Sequence, residues 1–169
     1  MMMKAKQMKK KIRLLHVLSL LLLLPLTLGS CKQEDDINEI FASGQIWHWS
    51  GSYTTDNWEH DNAYTDALTR EQKAKINNSP NAYLIQFKDD GSLEGKGEKI
   101  QFTGTWSADG KSKSFSVRLN PSGQYGELDR LFIQDIQSAK FYRGDSHVIK
   151  LFSLEKNYFI QFYPQGFNN

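Results

Sequence analysis

The stretch Ile100-Gln101-Phe102-Thr103-Gly104-Thr105-Trp106 decides the fold class of this chain. Its apolar residues Ile100, Phe102 and Trp106 recur with Gly104 at every second position, and polar residues fill the positions between them. A period of two is typical of a β-strand with one buried and one solvated face, as found in antiparallel sheets. The stretch therefore predicts a strand of an antiparallel sheet.

Similar short runs, rich in aromatic and β-branched residues, lie on both sides of this strand and are separated by turn signals such as Asp89-Asp90-Gly91. The further strands are predicted at Ile46 to Tyr53, Ala82 to Lys88, Ser114 to Leu119, Val148 to Leu154 and Tyr158 to Tyr163. In the first of them, Trp47, Trp49, Gly51 and Tyr53 are expected to share one face. The pattern predicts a mainly β (α+β) fold, a small antiparallel β-barrel or sandwich of about seven or eight strands with one or two short helices.

Two segments carry helical signals instead. Thr69 followed by Gln72 fits a capping box and predicts a helix over Arg70 to Ile76, inside a loop and helix inserted at about 56–80. Apolar residues recur at helical spacing between Leu128 and Ala139, which predicts an amphipathic helix before the last two strands.

The N-terminal region is a targeting segment rather than part of the fold. Six Lys and Arg residues precede the apolar run Leu14 to Leu28. That run is shorter than the ~20 residues of a bilayer-spanning helix. A basic region, a short apolar run and then small residues are typical of a secretory signal peptide, predicted here at residues 1–30.

The end of this segment, Leu28-Gly29-Ser30-Cys31, resembles the lipobox of bacterial lipoproteins. The resemblance implies that Cys31 is acylated and becomes the first residue of the mature chain. It also implies a lipid anchor in the outer membrane of a Gram-negative cell envelope. The alternative is an unmodified thiol after an ordinary signal peptide. Residues 31–40 are predicted to be the lipidated Cys and a polar tether, and residues 41–169 a single β-rich domain.

The tail Lys32-Gln33-Glu34-Asp35-Asp36 also resembles the acidic signal that sends some lipoproteins to the outer face of the outer membrane. This second resemblance implies exposure at the cell surface, and the alternative that the domain faces the periplasm stays open. In either place the expected partners are the membrane and an unidentified protein or small molecule. The protein is expected to be a monomer.

The charge distribution argues against nucleic acid as a partner. The chain has 21 Lys and Arg against 19 Asp and Glu, and six of the bases lie within residues 1–31, which hold no acid. The remainder keeps 15 bases against 19 acids and is therefore mildly acidic. Nucleic-acid binding needs a net basic face that displaces counterions from phosphates.

The residues that carry chemistry do not form a recognisable catalytic or metal motif. His48 and the run Glu59-His60-Asp61 contain metal-ligating types, but consecutive residues point in divergent directions and no ligand pair has metal spacing. The carboxylates Glu94, Glu98, Asp109 and Glu127 show no pairing of the kind that acid–base catalysis needs. We therefore expect no catalytic residue, no metal and no cofactor, and we predict that the protein is not an enzyme.

The aromatic residues are the strongest candidates for ligand or partner contact, because all 4 Trp, 7 Tyr and 10 Phe lie after residue 40. The candidate contacts are Trp47, Trp49, Trp58 and Trp106. Aromatic side chains usually fill small β-barrels, so core packing is the competing interpretation. Trp58 has polar neighbours on both sides, and such a residue is either packed down or presented to a partner.

The body of the chain resembles the META domain of small heat-shock-type bacterial lipoproteins. The similarity lies in Phe87 to Gly95, in Gly104 to Gly110, and in the segments Leu131 to Tyr142 and Leu151 to Phe162. Many members carry cysteines in the domain, which this chain lacks. Gly44 to Trp47 and Gly104-Thr105-Trp106 also resemble lipocalin-like lipoproteins. The first resemblance implies a non-catalytic interaction or structural role at the membrane, and the second implies a small-ligand cup.

Overall fold

The computed structural model describes residues 35–60 and 62–167. Within them the helices are α1 (Ile37–Phe41), α2 (Arg70–Asn77) and α3 (Glu127–Ser138), and a 3-10 turn covers Trp58–His60. The strands of the same residues are β1 (Trp47–Thr54), β2 (Thr65–Asp66), β3 (Leu84–Phe87), β4 (Ser92–Lys96), β5 (Ile100–Asp109), β6 (Ser114–Gly123), β7 (Phe141–Gly144), β8 (Ile149–Phe152) and β9 (Tyr158–Pro164). The predicted signal peptide and Cys31 lie outside the described residues.

All strand pairs are antiparallel, and the sheet curves into a ring because β1 pairs with both β3 and β9. The long hairpin of β5 and β6 forms the most regular part, and β2 pairs with the end of β1. The ring is not a regular barrel, since β6 and β7 share the single register pair Ser114↔Phe141. The predicted mainly β, antiparallel fold class with short helices is confirmed.

The two ends of the ring are closed by helices. Phe41 of α1 is fully buried at one end, where its ring lies 5.1–5.6 Å from the rings of four aromatic residues. Those four residues are Phe87, Trp106, Phe115 and Tyr142. Phe132 of α3 is fully buried among rings that include Trp49, Tyr83 and Phe102. The core therefore consists largely of aromatic side chains, packed inside the closed sheet between α1 and α3.

The first strand differs from its predicted pattern. The register between β1 and β9 shifts between Trp49 and Gly51, which marks a β-bulge. A bulge adds one residue and reverses the facing of every later side chain. Tyr53 therefore leaves the face of Trp47 and Trp49, and it packs with Phe152 and Phe159 in a second cluster.

The folded part also begins earlier than the sequence pattern predicts. Asp36 caps α1, because its carboxylate accepts hydrogen bonds from the backbone of Asn38 and Glu39 at 3.1 Å. Ile40 and Phe41 of this helix are buried. Residues 37–40, which the sequence places in a polar tether, belong to this helix because their apolar side is covered by the ring.

Candidate functional site

The predicted contact residues Trp47, Trp49 and Trp106 lie in the core. Each indole N–H is satisfied inside the protein: Trp47 Nε1 donates to the Phe41 carbonyl oxygen at 3.4 Å, and Trp106 Nε1 donates to that of Lys88 at 3.0 Å. Trp49 Nε1 donates to Ser52 Oγ at 3.2 Å. The three indoles therefore fill the ring and do not line a cup.

Trp58 lies in the 3-10 turn after β1 and is half-buried on the outer face of the sheet. Its ring packs against Phe141 and Phe152. Lys156 Nζ stands 3.9 Å from its centroid, and the Arg143 guanidinium donates to the Trp58 carbonyl oxygen at 2.7 Å. The Trp58 indole therefore packs against the protein surface, and the side chains of Lys156 and Arg143 lie over it in cation–π contacts.

A buried polar network is the strongest cluster of chemically active groups in the described chain. Asp135 of α3 accepts hydrogen bonds through Oδ2 from Ser52 Oγ at 2.5 Å and from the Tyr158 hydroxyl at 2.8 Å. Ser52 Oγ in turn accepts a hydrogen bond from Trp49 Nε1, which adds this indole to the network. Burial raises the pKa of the Asp135 carboxyl, and the two hydroxyl hydrogen bonds offset part of this effect. The network joins α3 to β1 and β9, and its side chains hydrogen-bond to one another inside the fold.

A second buried carboxylate, Asp129, ties α3 to the turn between β4 and β5. Oδ1 accepts from the backbone N–H of Glu98 at 2.7 Å, and Oδ2 accepts from that of Gly126 at 2.9 Å. Sequence reasoning missed both carboxylates. Their signal is an acidic residue next to the apolar helical stripe, as in Leu128-Asp129 and Asp135-Ile136.

The predicted metal-ligating types do not converge. His48 is half-buried on β1, where its Nε2 donates to the Ser79 carbonyl oxygen at 3.2 Å and burial lowers its pKa. His60 is exposed in the 3-10 turn, and Asp61 lies outside the described residues. Among residues 35–60 and 62–167, no group of three or more His, Cys, Asp or Glu side chains is placed to hold a metal ion.

The candidate catalytic carboxylates are separate surface groups. Glu94 pairs with Lys88 and Glu98 pairs with Lys75. Asp109 accepts from Ser112 in a turn, and Glu127 accepts from Gln72. Each has its own partner, so no two of them face a common substrate position.

The outer surface of the ring carries two clefts. The first has a volume of about 390 Å³ and lies over β3 to β6. Its lining includes the polar side chains of Gln86, Glu94, Lys96, Gln101, Thr103 and Asn120 and the exposed apolar side chain of Ile46. The second has a volume of about 420 Å³ and lies beside β1 and β9, lined by residues that include His48, Ser50, Asn77, Tyr163 and Phe167. Both clefts are open to solvent, whereas the inside of the ring is filled.

These features define a class: an antiparallel β ring with an aromatic interior, closed at both ends by helices. The chain belongs to the DUF4847 family, a domain of unknown function, whose model matches residues 32–164. A crystal structure of a DUF4847 family protein from Bacteroides vulgatus ATCC 8482, determined at 1.00 Å, is similar to this chain with a TM-score of 0.64. The two are 29% identical, and the match covers 75% of this chain and 96% of that chain. None of the curated proteins compared with the chain matches it.

Neither the family nor this relative bears the name of a META domain or a lipocalin-like lipoprotein, so both resemblances stay predictions. Within the part of the chain that the structure describes, no helix has the length and apolarity needed to cross a membrane.

Proposed function

We propose that the protein is a lipid-anchored protein of the bacterial cell envelope, and that its β domain is a non-catalytic interaction module. The anchor is proposed at Cys31, on the resemblance of Leu28-Gly29-Ser30-Cys31 to a lipobox. A signal peptide before it supports export.

The filled interior of the ring carries the proposal for the domain. Trp47, Trp49 and Phe132 are fully buried and occupy the space in which a cup-shaped binder would hold its ligand. The buried Asp135 network has its hydrogen-bond partners inside the fold. Binding is therefore assigned to the outer surface, and the cleft over β3 to β6 is the preferred site.

Fatty-acid labelling in cells tests the anchor. Cells that express the full chain are grown with a clickable fatty acid, and label on the protein is compared between wild type and Cys31→Ser. We expect label on the wild type and none on Cys31→Ser. Ser30→Ala, which keeps a small residue before the cysteine, is the matched control and is expected to retain the label. Label that persists on Cys31→Ser contradicts the anchor.

A ligand titration separates the interaction module from the lipocalin-like alternative. A fluorescent long-chain fatty acid is added while energy transfer from the tryptophans is recorded. The filled interior predicts no saturable transfer. Saturable 1:1 transfer that Trp49→Phe reduces would favour the cup and contradict the proposal.

Site-specific photo-crosslinking in cells tests the outer cleft. A photoreactive amino acid replaces Gln101, which lines the cleft, or Ser116, which is exposed on β6 away from it. We expect a discrete crosslinked product from position 101 and none from position 116. Equal products from both positions would argue against the cleft.

A further inference from the structure

The N-terminal part of the described chain is fixed at one end of the ring. The Asp35 carboxylate forms an ion pair with Lys113 and accepts a hydrogen bond from the Tyr142 hydroxyl at 2.9 Å. Lys113 lies in the turn that leads into β6. We call this end the α1 end; it consists of residues 35–46, which include α1, the turns at residues 88–91, 109–113 and 145–148, and residues 165–167. The opposite end, with residues 97–99, 124–126 and 153–157, is the α3 end.

The covalent chain limits how far the α1 end stands from a lipid on Cys31. Only four residue steps separate Cys31 from Asp35. A fully extended chain rises at most ~3.6 Å per residue, so four steps reach about 14 Å. This reach is less than half the thickness of a typical bilayer core, ~30 Å. An acylated Cys31 therefore holds the α1 end close to the headgroups.

The same end exposes apolar side chains. Ile46 is 39% exposed and Phe167 is 52% exposed. They belong to neighbouring segments, because the Gln165 backbone N–H donates to the Ile46 carbonyl oxygen at 2.7 Å. The Phe167 ring stacks on Tyr163 with centroids 5.3 Å apart, and both residues line the second cleft. Exposed apolar side chains of this kind are typical of surfaces that contact the boundary between lipid headgroups and acyl chains.

Charge decides which kind of lipid surface fits. Among the described residues of the α1 end, carboxylates outnumber ammonium groups. The carboxylates are Asp35, Asp36, Glu39, Asp89, Asp90, Asp109 and Asp145, and the ammonium groups are Lys88, Lys111 and Lys113. An anionic surface repels such an end, whereas a zwitterionic one does not.

We propose that the α1 end is the membrane-facing surface of the domain, with Phe167 and Ile46 at the headgroups of a zwitterionic lipid layer. The α3 end and the part of the cleft over β4 to β6 that lies away from Ile46 then remain free for a partner. This inference rests on the proposed lipid anchor at Cys31.

Depth-dependent fluorescence quenching tests the orientation. The lipidated protein is reconstituted in phosphatidylcholine vesicles that contain headgroup-nitroxide lipid. A single cysteine, introduced as Lys111→Cys or Gln124→Cys, carries a thiol-reactive fluorophore, because the acylated Cys31 has no free thiol. Position 111 lies in the turn before the 10-residue strand β6 (Ser114–Gly123), and position 124 directly follows that strand. They are therefore about 30 Å apart along the strand, at ~3.3 Å per residue.

We expect at least a threefold greater quenching at position 111 than at position 124. The exposed pair His147→Cys and Leu154→Cys is expected to give the same order, since His147 lies in the turn at residues 145–148 of the α1 end and Leu154 lies at the α3 end. Equal quenching within each pair, or greater quenching at the α3 end, would overturn the orientation. Greater quenching of position 111 in phosphatidylglycerol vesicles than in phosphatidylcholine would overturn the assignment of a zwitterionic surface.

Flotation of the same samples separates the two proposals. If the wild type floats with vesicles and Cys31→Ser does not, the anchor stands and the quenching order alone decides the orientation. If the wild type fails to float, the anchor and the orientation that rests on it are both overturned.

Discussion

Phe41 is the residue whose removal most directly tests the closure of the ring by α1. Its side chain is fully buried, and four aromatic rings surround it at centroid distances of 5.1–5.6 Å. Phe41→Ala removes the ring but keeps the helix-forming tendency of the position, because alanine is a strong helix former. The variant therefore tests packing rather than helix propensity.

The expected loss follows from the burial of this ring. Truncating a fully buried Phe costs about 3–5 kcal/mol through lost transfer free energy and the cavity that is left. We expect about 4 kcal/mol here, because four aromatic neighbours lose a contact at once. For a domain of this size that corresponds to a fall in Tm of roughly 10–15 °C.

Urea denaturation of residues 32–169, followed by tryptophan fluorescence, measures this change, since Trp106 contacts Phe41. The free energy of unfolding comes from linear extrapolation. Leu154→Ala is the control, because Leu154 is 64% exposed and its truncation is expected to change stability by less than about 0.5 kcal/mol. A loss below about 1 kcal/mol for Phe41→Ala would refute the docking of α1 in the ring.

Three further predictions concern the core. Asp135→Ala removes the acceptor of two hydroxyl hydrogen bonds and is expected to cost about 1–3 kcal/mol in urea denaturation, whereas Asp135→Asn keeps an acceptor oxygen and should cost less. Burial raises the folded-state pKa of the Asp135 carboxyl above its unfolded value of about 3.9. The free energy of unfolding of the wild type, relative to that of Asp135→Asn, should therefore be greatest below about pH 3.9 and should fall as pH rises through the folded-state pKa. A difference between the two proteins that does not change with pH would contradict this. Gly95→Ala would place Cβ 2.2 Å from Phe102 Cζ and 2.4 Å from the Leu84 carbonyl oxygen, so we expect a loss of about 1–3 kcal/mol, and unchanged thermal melting would count against this packing.

Local signals in the sequence were sufficient to predict most of the elements. The alternation in Ile100 to Trp106 forms part of β5, which pairs with both β4 and β6. The capping box of Thr69 and Gln72 is present at the start of α2, with both hydrogen bonds made. These features depend on residues within a few positions of one another, and so they can be inferred without knowledge of the fold.

Other features depend on contacts between distant parts of the chain. The bulge at Gly51 belongs to the register of β1 against β9, which lies more than a hundred residues away. Alternation alone predicts Tyr53 inside the ring, and only the pairing with β9 turns it outward. Helix α1 could not be predicted for a related reason. A five-residue helix is too short to show a helical period in the sequence, and its burial depends on the packing of Phe41 inside the closed sheet.

The candidate site shows the same division. Asp129 and Asp135 look like ordinary polar positions of an amphipathic helix, and their burial follows from contacts with β1, β9 and the turn before β5. The tryptophans could be identified as important but not assigned to the inside or the outside. That assignment needs the facing of each strand, which register and bulges determine together.

Ring size connects this packing to function. A closed sheet of about eight strands encloses a space just wide enough for side chains to fill, or for one small ligand if those side chains are small. Here the inward positions hold Trp47, Trp49 and Phe102, and α3 adds Phe132 from the end of the ring. Side chains of that size use the volume that a ligand would need. Recognition by this domain is therefore expected on its outer surface, where amide and hydroxyl groups of neighbouring strands meet solvent.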